Sequence, residues 1–429
     1  MKKFSGSQIR FCRVALLNAL ICVPFTTLAA SNYFDARNDA MGGTGVASSN
    51  WGTAALANPA LMTKAPVESH VDIILPSAGV QISDKDKMVD KIDDVVDTVD
   101  RYQDVINSLP TTSFTTRPTL ASLAELQRLN AQVRVAAGDM ADKLRDLRNN
   151  KSQGKAGAAL AVTVPNETLP FAFVAKGYGT VSLSTDVNQG DIDYLQQIAD
   201  GKRIPVRGDE DRLTSSATGL AAIVADYGIA MAHQFDVAGH PVSVGVTPKI
   251  QQSWLFNYKA AVYTYDKDDV TNNQYRKDDT GFNVDAGIAT DVGENWTLGL
   301  SAQNLIARDI ETKEVNGFKD TYQIRPLVTG GVSWHTDRLT TAFDVDMTPT
   351  KGFKTEGDSQ YAGVGAEYRL FDWLQLRGGY RADMKSNDKN VVTGGFGLSP
   401  FNNSVHLDLA GSAGEDKTWG AMAKIGFTF

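Results

Sequence analysis

The stretch Trp296-Thr297-Leu298-Gly299-Leu300-Ser301-Ala302-Gln303 places Trp296, Leu298, Leu300 and Ala302 on one side and Thr297, Gly299, Ser301 and Gln303 on the other. Side chains that alternate with period two belong to a strand with one apolar and one wet face. The segment around Leu374, Leu376, Tyr380 and Ala382 separates more sharply, since its opposite face is Gln375, Arg377, Arg381 and Asp383. The same split recurs for Phe282, Val284, Ala286 and Ile288 against Asn283 and Asp285, and for Val405, Leu407 and Leu409 against His406 and Asp408. Working outward with this template predicts about fourteen strands of roughly ten residues, the length a tilted strand needs to cross a bilayer. They centre near Ile74, Ala161, Ala175, Ala225, Val246, Ala286, Leu300, Val328, Phe343, Gly365, Gly378, Gly395, Leu407 and Lys424.

The connections supply an independent check, because membrane barrels alternate short turns on one side with long loops on the other. Short connections are read at 165–170, 236–240, 291–295, 335–337, 370–372 and 399–402. The long ones fall between them, at 84–155, 185–216, 257–280, 306–322 and 348–358, followed by two shorter late loops. A soluble sandwich has no reason to sort its loops this way. The last strand alternates Trp419, Ala421, Ala423, Ile425, Phe427 and Phe429 up to an aromatic terminus, which resembles the signal read by the outer-membrane barrel assembly machinery.

Composition agrees with an exported barrel. The chain has 429 residues, 42% hydrophobic and 21% charged, with a formal net charge of −8. Its mean hydropathy of −0.22 excludes a bundle of membrane helices but not a barrel, whose strands are only half apolar. Lys2, Lys3, Arg10 and Arg13 precede an apolar run from Val14 to Phe25, and Thr27-Leu28-Ala29 supplies small residues for cleavage, so residues 1–29 read as a secretory signal peptide. Removing these four basic residues takes the charge from −8 to −12. Both cysteines, Cys12 and Cys22, leave with the leader, which excludes a disulfide framework and Cys-ligated metal. An acidic chain of this kind is not a nucleic-acid binder.

Two loops carry helical periodicity instead of strand alternation. Met88, Ile92, Val95, Val99, Tyr102 and Ile106 form one stripe, and Leu126, Leu129, Val133, Ala136, Met140, Leu144 and Leu147 form a second. Pro110 and Pro118 separate them, so residues 84–155 are expected to hold an antiparallel helical hairpin. An acidic first helix beside a second rich in Arg and Lys favours that pairing, and the hairpin is also the expected docking element for a conjugation or secretion partner. In the insertion 185–216, Ile192, Leu195 and Ile198 lie on one side of a short helix with Asp191 as its N-cap, expected to lie over the mouth.

No catalytic constellation emerges, and the expectation is a protein that is not an enzyme and has no cofactor or metal. Gly43-Thr44-Gly45-Val46-Ala47-Ser48 lacks the third glycine and the preceding strand of a dinucleotide site. Gly331-Val332-Ser333-Trp334-His335 lies in a strand and not at a nucleophile elbow. The acidic runs 208–211 and 266–269 lack the spacing of a calcium loop and read as solvated charge. Apolar faces that meet lipid leave Asp285, Asp344, Asp346, Glu367, Arg369, Gln375, Arg377, Arg381, His406 and Asp408 in the lumen, where opposite charges are expected to cross-pair. Arg377 and Arg381 are the candidates for binding a ligand carboxylate there, since a guanidinium fork matches two carboxylate oxygens.

Before the first strand, Asn38-Asp39-Ala40-Met41-Gly42-Gly43-Thr44-Gly45-Val46-Ala47 and then Ala57-Asn58-Pro59-Ala60-Leu61 are small and glycine-rich, which implies backbone packed into a confined space. This segment resembles the N-terminal region of the FadL family of outer-membrane transporters of hydrophobic compounds. In that family a glycine-rich stretch and an Asn-Pro-Ala motif form a plug inside a fourteen-stranded barrel. The resemblance assigns plug roles to Gly42, Gly43, Gly45, Asn58, Pro59 and Ala60. It implies a lateral exit at an inward-kinked third strand, here at Gly177-Tyr178-Gly179. The long helical first loop resembles exported proteins of the plasmid conjugal transfer TraF type, distinct from the thioredoxin-like and peptidase proteins sharing that label.

The expectation is thus an all-β transmembrane antiparallel barrel in a Gram-negative outer membrane. It comprises a signal peptide (1–29), a plug segment (30–68) and the barrel (69–429) with insertions at 84–155 and 185–216. Expected partners are outer-membrane lipid, the assembly machinery reading Phe427 and Phe429, a hydrophobic ligand, and a conjugation or secretion partner at the hairpin. The function implied is passive uptake of hydrophobic small molecules; the alternative is a non-transporting component of a conjugal transfer or secretion apparatus.

Overall fold

In the computed structural model, residues 35–66, 71–84, 87–108, 120–204, 212–400 and 404–429 are described. The leader, Pro110, Pro118 and the 208–211 run lie outside those residues.

The first wall strands are β1 (Asp72–Ser83), β2 (Lys151–Val164), β3 (Phe171–Asp186), β4 (Ser216–Val237), β5 (His240–Ala261), β6 (Arg276–Val292) and β7 (Trp296–Gln303). A two-stranded hairpin, β8 (Arg308–Glu311) and β9 (Thr321–Ile324), interrupts the series. The wall resumes with β10 (Leu327–His335), β11 (Leu339–Asp346), β12 (Tyr361–Phe371), β13 (Leu374–Asp383), β14 (Val391–Leu398), β15 (Val405–Gly414) and β16 (Thr418–Thr428). Fourteen antiparallel strands close when β1 pairs with both β2 and β16, and each contains one of the fourteen expected centres. Closure removes the sheet edges, so the ladder satisfies the wall's backbone groups without water.

Alternation along each strand sorts the two faces. Phe282, Ile288, Leu298, Leu300, Phe343, Val364 and Tyr380 point outward and are 39–54% exposed. Their in-strand neighbours Asn283, Asp285, Ser301, Asp344 and Arg381 point inward and are buried. A continuous apolar belt of this kind is far larger than the patches tolerated on soluble monomers, and hydrocarbon is the solvent that suits it.

The wall is uneven in height. β4 and β5 each run 22 residues, against 8 for β7, so their upper halves stand well beyond what a bilayer needs. Those upper halves are covered on both faces. By alternation from the inward Asp226 and Gln251, Ala217, Tyr258 and Ala260 point outward, where they share a core with three helices. These helices are α3 (Met88–Ser108), α4 (Leu120–Leu147) and α5 (Gln189–Ala199), numbered after two short lumenal helices, α1 (Ala36–Ala40) and α2 (Ala54–Ala57).

The first predicted stripe, Met88 to Ile106, is buried throughout, and Lys143 to Asp94 at 2.7 Å links the basic and acidic helices. Two details of the helical region differ from the sequence reading. Strand β2 already begins at Lys151, so the hairpin ends before residue 155. Helix α5 is capped by Asn188, which accepts from Gly190 N at 2.8 Å, while Asp191 turns away to hold Thr214 N and Ser215 N. That helix lies against α4 on the outer flank, through Arg134 to the Ala199 carbonyl, and not over the mouth.

The mouth is capped instead by the β8–β9 hairpin. Ile310, Tyr322 and Ile324, with Phe353, pack on the inward Leu220, Ala222, Val224 and Leu255. Its turn carries Asn316 and Gly317 at φ 48° and 72°, the left-handed pair that Asn-Gly supplies in a tight hairpin.

Candidate functional site: the plug and the lumen

Residues 35–66 fill the lumen. Gly42 and Gly43 adopt φ of 71° and 82°, which only glycine takes at little cost, and they turn the chain back after α1. The loop they create is held by Asp344 of β11, whose carboxylate accepts Gly45 N at 2.7 Å and Val46 N at 2.8 Å. Thr393 of β14 accepts from Gly42 N and donates to the Ala40 carbonyl. Ser333 and Ser301 donate to the carbonyls of Ala47 and Ala57.

Asn58 is the second anchor and is fully buried. Its amide nitrogen donates to the Val46 carbonyl at 2.8 Å and to the Ile288 carbonyl of β6 at 3.1 Å. Its amide oxygen accepts from Ala60 N, capping the short 3-10 turn Pro59–Lys64 that Pro59 starts. One side chain therefore ties together the glycine loop, the wall and the next turn.

The wall makes room for this backbone with glycines. A Cβ on Gly245 would strike Pro59 and Ala60, and one on Gly287 would overlap the Asn58 amide oxygen. Gly299 faces the Val46 carbonyl, Gly363 the Gly42 carbonyl, and Gly365 the Met41 carbonyl. Gly331, Gly379 and Gly395 complete a belt from β5 round to β14, always on the inward face. This belt was missed in the sequence; its signal is a glycine on the wet side of one strand after another.

Charge pairs complete the packing. Arg37 meets Glu367, which also receives Arg377, and Arg377 reaches Asp408. Lys424 bridges Asp35 and Asp408. The carboxylate partners of the two singled-out arginines are thus the protein's own: Glu367 and Asp408 for Arg377, and Asp39 for Arg381, which also donates to Gln81. Higher in the lumen, Lys249 lies between Asp226 and Asp285, and Lys176 joins Asp285.

The attachment is lopsided. Among the described residues, the plug's polar contacts fall mostly on β5 to β7 and β10 to β16. Toward β2, β3 and β4 it presents Leu56, Leu61 and Met62 to Ala159, Ala161, Ala172, Val174, Ala230 and Ala232, with Thr163 to the Gly52 carbonyl as a polar contact. Dispersion contacts between such groups have no preferred direction and let one surface slide on another more readily than hydrogen bonds do.

The third strand differs from expectation. Gly177 and Gly179 point outward, Tyr178 points inward, and β3 pairs in unbroken register with both neighbours. Its ladders carry no bulge at Gly177-Tyr178-Gly179, since glycine permits a bulge without forcing one. Two irregularities coincide with proline, which removes a donor: β1 slips by one residue at Leu75-Pro76, and the β4–β5 ladder skips Ile229 and Ala230 opposite Pro248; a third, at Leu370 between β12 and β13, has no proline.

Beneath the cap lies a cavity of ≈ 100 Å³ lined by Lys155, Lys176, Tyr178, Asp226, Tyr322 and Tyr361 among others. In the loop between β13 and β14, burial would raise the Asp388 carboxyl, but adjacent Lys155 and the donating Tyr361 hydroxyl hold it below the usual range. Glu356 goes the other way: burial pushes it up, against a hydrogen bond from Ser182. At the other end, Phe429 pairs with Val71 through the backbone and its ring is 66% exposed, while Phe427 is half-buried.

A closed fourteen-strand antiparallel barrel with a chain segment wedged inside is a fold of the FadL type. Solved structures share that fold. The Ralstonia pickettii toluene transporter TbuX is 13% identical over 92% of this chain and 97% of its own, with TM-score 0.50. A Pseudomonas aeruginosa FadL homologue is 12% identical over 95% and 98%, with TM-score 0.50. The CymD monoaromatic hydrocarbon channel is 11% identical over 93% and 98%, with TM-score 0.51. No curated protein matches in sequence. Residues 55–346 match the family described as "F plasmid transfer operon, TraF, protein", and the chain belongs to that family.

Proposed function

We propose that this protein is exported by its N-terminal leader, is inserted in the outer membrane with Phe427 and Phe429 as its assembly signal, and admits small hydrophobic molecules passively. The observation that carries the reading is the lopsided plug. Its polar anchors leave the seam toward β2, β3 and β4 largely apolar, so displacement of the plug there would expose a lumenal surface of alanine, leucine and methionine. Gly42, Gly43, Gly45, Asn58, Pro59 and Ala60 are the gating residues in this reading. Purified protein in vesicles tests it. Loosening the plug by Asn58→Ala should speed entry of a small aromatic hydrocarbon with little change for sucrose; equal acceleration of both would refute the selectivity.

A second reading is favoured by the position of the helices. The α3–α5 module stands on the outer flank, clear of the cap, and exposes Asp90, Asp97, Asp100 and Asp104 along α3. It could dock a conjugation or secretion partner without touching the lumen. Deleting residues 88–147 separates the two: unchanged entry with loss of a partner favours assembly, and lost entry favours transport.

A further inference from the structure

Across β2 to β6 the outer wall carries a groove of ≈ 590 Å³. Its rim is Leu160, Phe173, Tyr227, Ile229, Ile250 and Phe282, all outward and 42–55% exposed. Its floor is Ala175 and Pro248. The groove follows one rung of the sheet, since Leu160 pairs with Ala175, Ala175 with Tyr227, Tyr227 with Ile250, and Ile250 with Phe282. Four interstrand spacings make that rung about 19 Å long. Half of a hydrocarbon core is about 15 Å.

The floor lies low for two reasons visible in the chain. Ala175 sits between its cross-strand partners Leu160 and Tyr227, both far bulkier, and Pro248 interrupts the β4–β5 ladder, where Ile229 and Ala230 go unpaired. The only charged residue reaching the groove, Lys249, turns its ammonium inward to Asp226 and Asp285. What remains is a carbon-lined channel continuous with the apolar belt, so its occupant must come from the hydrocarbon phase. A flexible chain of methylenes fits a narrow furrow of this length and lacks the polar atoms that would be stranded there.

We propose that the β2–β6 groove is a binding site for one acyl chain of a membrane lipid, held across the strands against Ala175 and Pro248. The inference rests on the membrane-spanning reading above. To test it, the full protein is reconstituted in phosphatidylethanolamine and phosphatidylglycerol vesicles containing a trace of phosphatidylcholine with a photoactivatable diazirine on its acyl chain. After illumination, labelled residues are mapped by mass spectrometry.

The expected result is several-fold more label on Tyr227, in the groove, than on Tyr380 of the opposite wall, which offers the same chemistry at 42% exposure. Ala175→Trp, which fills the floor, should bring Tyr227 down to the Tyr380 level, whereas Val392→Trp on the far wall should leave the ratio unchanged. Equal labelling of both tyrosines in the unmodified protein overturns the site while leaving the membrane reading intact. Absence of label anywhere on the belt overturns both.

Discussion

Replacing Asn58 by alanine removes three hydrogen bonds at a position with no access to water. The Val46 carbonyl, the Ile288 carbonyl and the Ala60 N–H each lose a partner. An unsatisfied buried group costs about 1–3 kcal/mol, and loss of an N-cap costs about 0.5–2 kcal/mol. Allowing for relaxation, the plug should lose about 3 kcal/mol of attachment, which is roughly a hundredfold in the equilibrium for its release. Because the chain has no cysteine after Cys22, a single cysteine placed at Ala57 reports that release by its rate of maleimide labelling.

Gly287→Ala should reproduce the effect by a different route, since the new methyl occupies the space of the Asn58 amide and drives it out. The two substitutions share one interaction, so the double variant should label scarcely faster than Asn58→Ala alone. Labelling of Asn58→Ala within twofold of the parent, in barrels that keep their heat-modifiable mobility, would refute the anchoring role. Fully additive effects would refute the shared mechanism.

Other expectations follow from the lumen and the cap. Lys249→Met leaves Asp226 and Asp285 buried without their shared cation and should destabilise the barrel by about 3–5 kcal/mol, read as a lowered thermal midpoint in detergent. Glu356 has a raised pKa in the folded cap, so its carboxyl favours the fold at low pH, and that contribution is lost as pH rises through the folded value. Glu356→Gln should therefore raise the midpoint at pH 8, with the gain vanishing below the ordinary carboxyl value of 4.5. Asp388, in the β13–β14 loop, has the opposite sign: its lowered pKa stabilises the fold at neutral pH, and Asp388→Asn should lower the midpoint there but not under strongly acid conditions. Removing Phe429 should reduce the amount of barrel recovered from outer membranes, measured against the intact chain after equal expression.

By itself the sequence determined the barrel, because alternation is a local property: Leu298 and Leu300 face away from Thr297 and Ser301 whatever else the chain does. It determined the helical hairpin for the same reason, through the stripe from Met88 to Ile106, and the Asn316-Gly317 turn was there to be read although the hairpin it closes was not anticipated. Only the tertiary structure decided what meets what across the lumen. Arg37 and Glu367 are 330 positions apart, and nothing between them encodes their contact. The inward glycines look like ordinary strand residues until the plug backbone lies against them. The outward turn of Gly177 and Gly179, and the placement of α5 on the flank, likewise depend on closure of the ring, which fixes the facing of every strand at once.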